Sequence, residues 1–212
     1  MQNVVNDLKY LLNQNYRKKV ALNFVANHYL LSKEDRHYLA RSIFSDALSK
    51  MRKSKIINLK NIQNHYLFLD GYNVLITVEA IINHDKVILS DDGFLRDFLG
   101  IFGNYKLNSN TNNALSLIFK CISPYPPQYI KFYLDKQVSF SGKLSHEINK
   151  MFKNHELNGT SVLSTEVDSD LVHECNEVGG IGATSDGIMI DKLKRVVDIP
   201  RYILDNKENL II

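Results

Sequence analysis

Three short strand-like segments of small or apolar residues each run directly into an aspartate, and helix-like segments separate them. The aspartates are Asp70, Asp135 and Asp186. Strands that alternate with helices predict an α/β fold with three layers and a central, mostly parallel sheet. Because the carboxyl ends of parallel strands lie at one edge of a sheet, we expect the three carboxylates to converge there. A divalent cation commonly stabilises converging carboxylates.

Apolar periodicity divides residues 61–212 into alternating strands and helices. Strands are predicted at 66–69, 87–89, 130–134, 161–164 and 181–184, with a further one at 195–199. Helices are predicted at 74–82, 114–121, 144–152 and 170–177, and a last one is expected to begin at Pro200. The Asn-rich stretch 108–113 is predicted to be a loop, and the glycines at 179–182 are predicted to form a turn rather than a phosphate loop.

The first 60 residues have helical periodicity throughout. Apolar positions predict helices over 4–12 and 20–30, and Ser32 with Asp35 predicts the N-cap of a third helix that runs to Leu48. Two of these helices could form a helix-turn-helix, but periodicity alone favours a small bundle that packs against the main domain. The predicted division is therefore a helical segment at 1–60 and an α/β domain at 61–212.

Charge is distributed unevenly between these two parts. Residues 1–60 contain 12 Lys and Arg and 4 Asp and Glu, a net charge of +8, whereas residues 61–212 contain 14 and 19, a net charge of −5. A basic part that attracts phosphate beside an acidic part that holds metal suits an enzyme of nucleic acids. Taken singly, each basic residue is equally explained as a solvated helix position. The candidates for nucleic-acid binding are Arg17, Lys18, Lys19, Arg52 and Lys53.

Composition indicates a cytoplasmic protein that does not cross a membrane. No apolar run approaches the roughly 20 residues that span a bilayer, and the N-terminus lacks the pattern of a signal peptide. Cys121 and Cys175 are the two cysteines, too few for a disulfide framework or a structural zinc site. Whether the chain forms a homodimer is left open by the sequence.

Aspartates at the starts of helices have two interpretations. Asp70, Asp168 and Asp186 can each be the N-cap of the helix that follows, with Asp170 in the first turn of its helix. Capping accounts for each residue alone. It does not account for three such sites at one edge of the sheet, which indicates a common function.

These residues resemble the PIN-like nuclease superfamily, a Rossmann-like group that includes the NYN branch. Residues 67–198 resemble more closely a prokaryotic PIN-like family, domain of unknown function 434, and stretches 7–13 and 36–41 resemble its helical lead-in. The matching boxes are Asp70-Gly71-Tyr72-Asn73-Val74-Leu75-Ile76-Thr77, Asp91-Asp92-Gly93-Phe94-Leu95-Arg96-Asp97, Leu134-Asp135 with Val138 to Gly142, and Ala183-Thr184-Ser185-Asp186.

The resemblance implies a nuclease centre with Mg²⁺ or Mn²⁺, a cation that lowers the pKa of a water for attack on phosphorus. It implies Asp70, Asp170 and Asp186 as metal ligands. The fourth acidic position is favoured to be Asp92, with Glu79 and Asp91 behind it. The supporting candidates are Asn73, Ser185, Arg96 as a phosphate contact or an ion-pair partner of Asp92 or Asp97, and Asp135, which binds metal or orients Ser141.

The resemblance alone indicates RNA as the substrate. Two other functions stay open at this point. One is a non-catalytic, RNA-binding or regulatory module that keeps the fold with an incomplete metal site. The other is a phosphohydrolase of small molecules, which a closed pocket without a basic groove would favour.

Overall fold

The computed structural model describes residues 1–98 and 105–210, and at residues 208 and 209 it describes the backbone alone. Before the sheet lie helices α1 (Gln2–Asn13), α2 (Lys18–His28), α3 (Lys33–Ser42) and α4 (Asp46–Lys53), and a 3₁₀ turn (Leu59–Ile62). The strands are β1 (Tyr66–Asp70), β2 (Val87–Leu89), β3 (Leu95–Asp97), β4 (Tyr129–Asp135), β5 (Gly159–Ser164) and β6 (Ile181–Ala183). The later helices are α5 (Gly71–Ile82), α6 (Thr111–Ile122), α7 (Ser141–Asn154), α8 (Val167–Glu177), α9 (Gly187–Lys192), α10 (Ile199–Asp205) and α11 (Lys207–Leu210).

The central sheet has four parallel strands in the order β5-β4-β1-β6. Its middle strand β1 pairs Leu69 with Phe132 on one side and with Ala183 on the other. Side chains alternate between the two faces of a strand. Leu67 and Leu69 therefore pack against α5, α6, α7 and α10, while Phe68 packs on the opposite face against α8 and α9. The predicted three-layer α/β fold with a mostly parallel sheet is confirmed.

The N-terminal segment forms a helical unit with an apolar cluster of its own. Leu8, Ala21 and Leu39, from three different helices, are almost completely buried in this cluster. The segment joins the sheet through a bridge between Ile56 and Val196. The predicted helical lead-in is thus present and packs against the α/β part.

Several element boundaries differ from the prediction. The third helix ends at Ser42 rather than Leu48, because Ile43 is extended (φ −106°, ψ 128°) and Ser45 caps a new helix by accepting a hydrogen bond from the Leu48 backbone N–H. The predicted loop at 108–113 is shorter, since α6 begins at Thr111. The predicted strand at 195–199 is reduced to single bridges of Val196 with Ile56 and Gly182.

The short elements β3 and α9 and the 3₁₀ turn at Leu59–Ile62 have no counterpart in the prediction. Strand β3 pairs antiparallel with β2 as a hairpin outside the main sheet. The turn predicted at 179–182 covers only the first part of that range, because Ile181 and Gly182 belong to β6. Within it Gly179 has φ +62°, in the left-handed region that favours glycine. Within the described part of the chain, none of the helices combines the length and the apolar character needed to cross a bilayer.

Candidate functional site

A cavity of about 310 Å³ opens at the carboxyl edge of the sheet, beyond the ends of β1 and β6. Besides Asp97, which is paired with Arg41, three carboxylates face it: Asp70, Asp168 and Asp186. Arg41, Asn73 and Asp97 complete its polar lining. We call it the acidic cavity. It lies where α/β sheets generally bind their ligands.

Asp70 ends β1 and does not cap the helix that follows it. It occupies the N-cap position of α5, yet its side chain accepts no capping hydrogen bond. The carboxylate accepts one from Thr184 Oγ1 at 2.9 Å. Burial raises the pKa of Asp70 to about 7, the charges of Asp168 and Asp186 add to the rise, and the Thr184 hydrogen bond opposes it. The nearby Asn73 backbone N–H also lowers the pKa of Asp70, although the two groups do not meet the geometry of a capping hydrogen bond. Capping therefore does not explain Asp70.

The loop after β6 is held by a side chain from α5. Asn73 Oδ1 accepts hydrogen bonds from the Ser185 backbone N–H at 2.8 Å and from Ser185 Oγ at 3.0 Å. The next residue, Asp186, caps α9 with one oxygen, Oδ1, which accepts from the backbone N–H groups of Ile188 and Met189. Its other oxygen makes no hydrogen bond with the described residues. Asp186 therefore serves as a helix cap and still offers an oxygen to the cavity.

The third carboxylate of the cavity is Asp168 rather than Asp170. Helix α8 begins at Val167, so Asp168 lies inside the first turn instead of capping it. Asp170 does not line the cavity, and Ser164 Oγ donates a hydrogen bond to it at 2.6 Å. Partial burial and the nearby Asp186 carboxylate raise the pKa of Asp168. The structure therefore brings Asp168 to Asp70 and Asp186, and leaves Asp170 beside the site.

The three carboxylates of the acidic cavity are not neutralised by the protein. None of them forms an ion pair with a described residue, although Asp91, Asp92 and Asp97 nearby all do. Among the described residues, however, no three His, Cys, Asp or Glu side chains lie close enough together to form a metal site by themselves. The cavity thus carries negative charge without a complete cage of ligands.

Asp92, the favoured fourth ligand, is wholly buried away from the acidic cavity. Arg96 donates to both of its oxygens, at 2.7 and 2.8 Å, and Arg52 donates to Oδ2 at 2.9 Å. Burial works to raise the pKa of Asp92, but the hydrogen bonds and charges of the two arginines lower it overall. Both oxygens are occupied, so the structure gives Asp92 the geometry of a structural ion pair.

Glu79 is also removed from the cavity. Its carboxylate is buried and accepts hydrogen bonds from Tyr105 Oη and Thr111 Oγ1, both at 2.7 Å, and from Asn108 Nδ2 at 3.0 Å. These contacts fasten the start of α6 to α5. Glu79 therefore has a structural role and does not line the acidic cavity with Asp70.

Asp91 and Asp135 do not line the acidic cavity either. Asp91 faces a separate cavity of about 570 Å³, where it forms an ion pair with Lys9 at 3.3 Å. Asp135 Oδ1 accepts a hydrogen bond from the Gln137 backbone N–H, a local turn contact. Ser141 Oγ donates to the Lys136 carbonyl, so Asp135 does not orient Ser141.

A second cavity, of about 320 Å³, adjoins the acidic one and is lined by basic side chains. It lies between the helical segment and the loop after β6. We call it the basic cavity; it shares Arg41, Asn73 and Asp186 with the acidic cavity and is also lined by Lys18, Arg52 and Arg96. Of the residues predicted to bind nucleic acid, Lys18 and Arg52 face this cavity, while Arg17, Lys19 and Lys53 are exposed and do not.

Residues 59–202 match the family described as "Domain of unknown function (DUF5616)". The chain belongs to the DUF5616 family. Its N-terminal residues 1–55 match a second family, described as "Protein of unknown function (DUF434)". The resemblance to family 434 is therefore confirmed for the helical segment, whereas the boxes from Asp70 to Asp186 fall in the DUF5616 match. The predicted domain division at residue 60 and the likeness to PIN-like nucleases stay predictions.

A protein with a similar sequence has a name that states no function. An uncharacterised protein of Methanocaldococcus jannaschii, MJ0935, is 40% identical over 195 residues, which cover 91% of each of the two chains. No solved structure matches the chain. The function of this DUF5616 protein must therefore be argued from its own site.

Three side chains of the site are missing from the functional residues that the sequence predicts: Asp168, Thr184 and Arg41. The sequence favours a helix cap for Asp168, and only the true start of α8 corrects this. Thr184 lies in the Ala-Thr-Ser-Asp box, which is a signal that could have identified it. Arg41 comes from α3, 29 positions before Asp70 in the chain. Its place in this DUF5616 site follows from tertiary contacts alone.

Proposed function

We propose that this protein is a metal-dependent nuclease that hydrolyses phosphodiester bonds of RNA, with its centre in the acidic cavity. One observation carries the proposal. Asp70, Asp168 and Asp186 share a cavity at the ligand-binding edge of a parallel sheet, and no described residue neutralises them by an ion pair. Carboxylates in such surroundings are typical of functional sites rather than of stabilising contacts. The resemblance of the domain to PIN-like nucleases is a part of this proposal.

The donor set fits Mg²⁺ or Mn²⁺. These hard cations prefer carboxylate and water oxygens, and Mg²⁺ is commonly bound by one or two carboxylates, several waters and the substrate phosphates. A cavity in which the described side chains form no complete cage agrees with that mode of binding. Asp70, Asp168 and Asp186 are the residues that would hold the ion. The ion supplies charge neutralisation and activation of the attacking water.

The surrounding residues position these carboxylates. Thr184 holds the Asp70 carboxylate in one orientation, and Asn73 holds the backbone of Ser185 next to Asp186. Because Asp186 is also fastened to the first turn of α9, its free oxygen has a defined direction. Rigid placement of this kind limits the reorganisation that the reaction requires.

A non-catalytic, RNA-binding module is the second candidate. The observation that favours it is the lack of a compact group of three ligands among the described residues. Such a protein would bind RNA through the basic cavity and the helical segment without cleaving it. The basic cavity beside the site argues against a small-molecule phosphohydrolase, which a closed pocket without a basic groove would favour.

Cleavage of labelled RNA separates these functions. A pool of structured and single-stranded RNA is incubated with Mn²⁺ or with EDTA, with wild type and with Asp70→Asn. We expect cleavage by wild type only with Mn²⁺, and a loss of at least roughly a hundredfold in Asp70→Asn. Asp85→Asn is the matched control, because Asp85 is an exposed aspartate outside both cavities.

The same assay tests the choice between the two carboxylates of α8. We expect Asp168→Asn to reduce cleavage about as strongly as Asp70→Asn, and Asp170→Asn to reduce it much less. Cleavage that persists in EDTA, or equal cleavage by Asp70→Asn and wild type, would overturn the nuclease proposal. RNA binding by wild type without any cleavage would establish the non-catalytic module instead.

A further inference from the structure

The proposed hydrolysis does not require the basic side chains that line the basic cavity. The cavity is formed by the start of α2 and by α3 from the helical segment, and by β3 and the loop after β6 from the α/β part. Its volume of about 320 Å³ is large enough for a small ligand, since a water molecule occupies roughly 30 Å³ in the liquid. It opens beside the acidic cavity, with which it shares Arg41 and Asp186.

Lys18 places an amine without an ionic or hydrogen-bonding partner in this cavity. Its ammonium nitrogen is buried and has no hydrogen-bond partner among the described residues. It lies 3.5 Å from the centre of the Phe44 ring, a cation–π contact that replaces only part of its hydration. Burial lowers the pKa of Lys18 to about 7, and the charges of Arg96 and Arg52 lower it further. Leaving a lysine head group in this position is costly without a ligand.

The arginines of the cavity are already paired with carboxylates, whereas Lys18 is not. Arg52 and Arg96 share Asp92, and Arg52 also binds Asp191. The carboxylate of Asp186 lines the same cavity. Arg41 pairs with Asp97 through Nη2, but its Nε is buried without a hydrogen-bond partner among the described residues. Lys18 and Arg41, which both line the cavity, therefore carry N–H donors that the described residues leave without an acceptor.

We infer that the basic cavity binds a phosphate group, held by Lys18 and Arg41, next to the acidic cavity. The ligand class is a tetrahedral oxyanion. This inference rests on the proposed function. The phosphate group is therefore expected to belong to RNA and to be adjacent to the phosphate that is cleaved. Lys18 and Arg41 would then be positioning residues for the RNA strand. The uncapped start of α2, where Lys18 is the first helical residue, adds positive potential on the same side.

Phosphate binding is measured without metal, so that it is independent of hydrolysis. The melting temperature of the protein is followed as inorganic phosphate replaces chloride at constant ionic strength in EDTA. We expect phosphate to stabilise wild type and Lys18→Met to bind it roughly tenfold or more weakly, because charged hydrogen bonds are lost. Lys33→Met is the control, since Lys33 is the first residue of α3 but is exposed outside the cavity.

A second variant keeps the test decisive if Lys18→Met folds poorly. Arg41→Gln is then expected to weaken phosphate binding in the same assay. Phosphate stabilisation that is equal in wild type, Lys18→Met and Arg41→Gln overturns the inference, as does an equal loss in Lys33→Met. Absence of any stabilisation of wild type by phosphate overturns it too.

The source of the phosphate is resolved with single-stranded RNA in EDTA. Tighter binding of RNA with a 5′-phosphate than with a 5′-hydroxyl, lost in Lys18→Met, identifies a terminal phosphate. Equal binding of both RNAs, weakened alike in Lys18→Met, identifies an internal phosphate. Binding of both RNAs that is unchanged in Lys18→Met contradicts the inference. None of these measurements needs cleavage, so a failed nuclease assay and a failed phosphate site remain distinguishable.

Discussion

Two buried aspartates of this protein show how the same residue type takes different roles. Asp70 receives one side-chain hydrogen bond and faces two further carboxylates across a cavity. Asp198 is buried to a similar degree, yet each of its oxygens accepts a backbone N–H, from Leu95 at 2.7 Å and from Arg201 at 2.9 Å. Asp198 is therefore a structural cap of α10 that also anchors β3, whereas Asp70 keeps capacity for a ligand.

The pH dependence of stability provides a test of the setting of Asp198. Burial raises the pKa of Asp198 to about 6, against the opposing effect of its two backbone hydrogen bonds. Between about pH 4 and 6 the folded state therefore binds more protons than the unfolded state, so this group's contribution to stability falls as the pH rises and is constant above that range. The expected fall is roughly 3 kcal/mol.

Urea unfolding of wild type and Asp198→Asn from pH 4 to 8 measures this effect. The variant cannot ionise at this position, so the free energy of unfolding of wild type should fall relative to that of the variant between about pH 4 and 6. The loss of one hydrogen-bond acceptor in Asn adds an offset that does not vary with pH. A difference between the two proteins that is the same at every pH would contradict the prediction.

At the scale of elements, the crossing of α5 over β4 determines where Asp70 lies. Gly71 is the first residue of α5, and its φ is not in the left-handed region. A Cβ at this position would lie 2.6 Å from Leu134 Cδ2 and 2.7 Å from the Tyr133 carbonyl oxygen. The glycine of the Asp-Gly-Tyr-Asn box is thus required for the close approach of a helix to a strand.

Gly71→Ala is expected to destabilise the protein by about 1–3 kcal/mol, because β4 or α5 must move to admit the methyl group. Since Asp70 is the preceding residue, the same shift should reduce cleavage of RNA. Gly142→Ala is the matched control: Gly142 lies in the first turn of α7, and a methyl group added there would have nothing within 4 Å. The control should be neutral or more stable by roughly 0.5–1 kcal/mol in urea unfolding. Equal effects of the two substitutions would contradict this account of Gly71.

At the scale of the whole molecule, a buried ion-pair network joins the helical segment to the α/β part. Arg52 of α4 reaches Asp92 and Asp191, and Arg96 of β3 holds Asp92 from the other side and donates to the Ser185 carbonyl. The network ends at the loop that carries Asp186. Through this network the helical segment stabilises the loop that carries Asp186 into the acidic cavity. The segment also provides Lys18 and Arg41.

Breaking this network should loosen the junction between the two parts. Asp92→Asn leaves two buried guanidinium groups without their shared carboxylate, and we expect it to lower the free energy of unfolding by about 3–5 kcal/mol. Asp91→Asn removes a partly exposed pair with Lys9 and should cost about 1 kcal/mol or less. Limited trypsin digestion should cut the variant Asp92→Asn sooner between α4 and β1. Equal stability of the two variants would show that Asp92 is not the structural link.

Much of the fold can be predicted from the sequence because strands and helices have characteristic periodicities. The helices around Leu8 and Ile148, and the strands that end at Asp70 and Asp135, lie within a few residues of their predicted places. Helix starts are harder to predict where several neighbouring residues could serve as the cap. The start of α8 is the important case, because a shift of a few residues changes which aspartate faces inward.

The order of strands along the chain is sufficient to predict that aspartates gather at the carboxyl edge of a parallel sheet. Which aspartates face the cavity depends on the tertiary structure. Asp168 and Asp170 are two residues apart on a helix of 3.6 residues per turn and so point in nearly opposite directions. The ion pair of Asp92 with Arg96, four positions on, is one of the alternatives that the sequence predicts. The second partner, Arg52, lies 40 positions away in the chain, and such a contact leaves no local pattern. Burial and long-range charge pairing separate the acidic residues available to a ligand from those that hold the fold together.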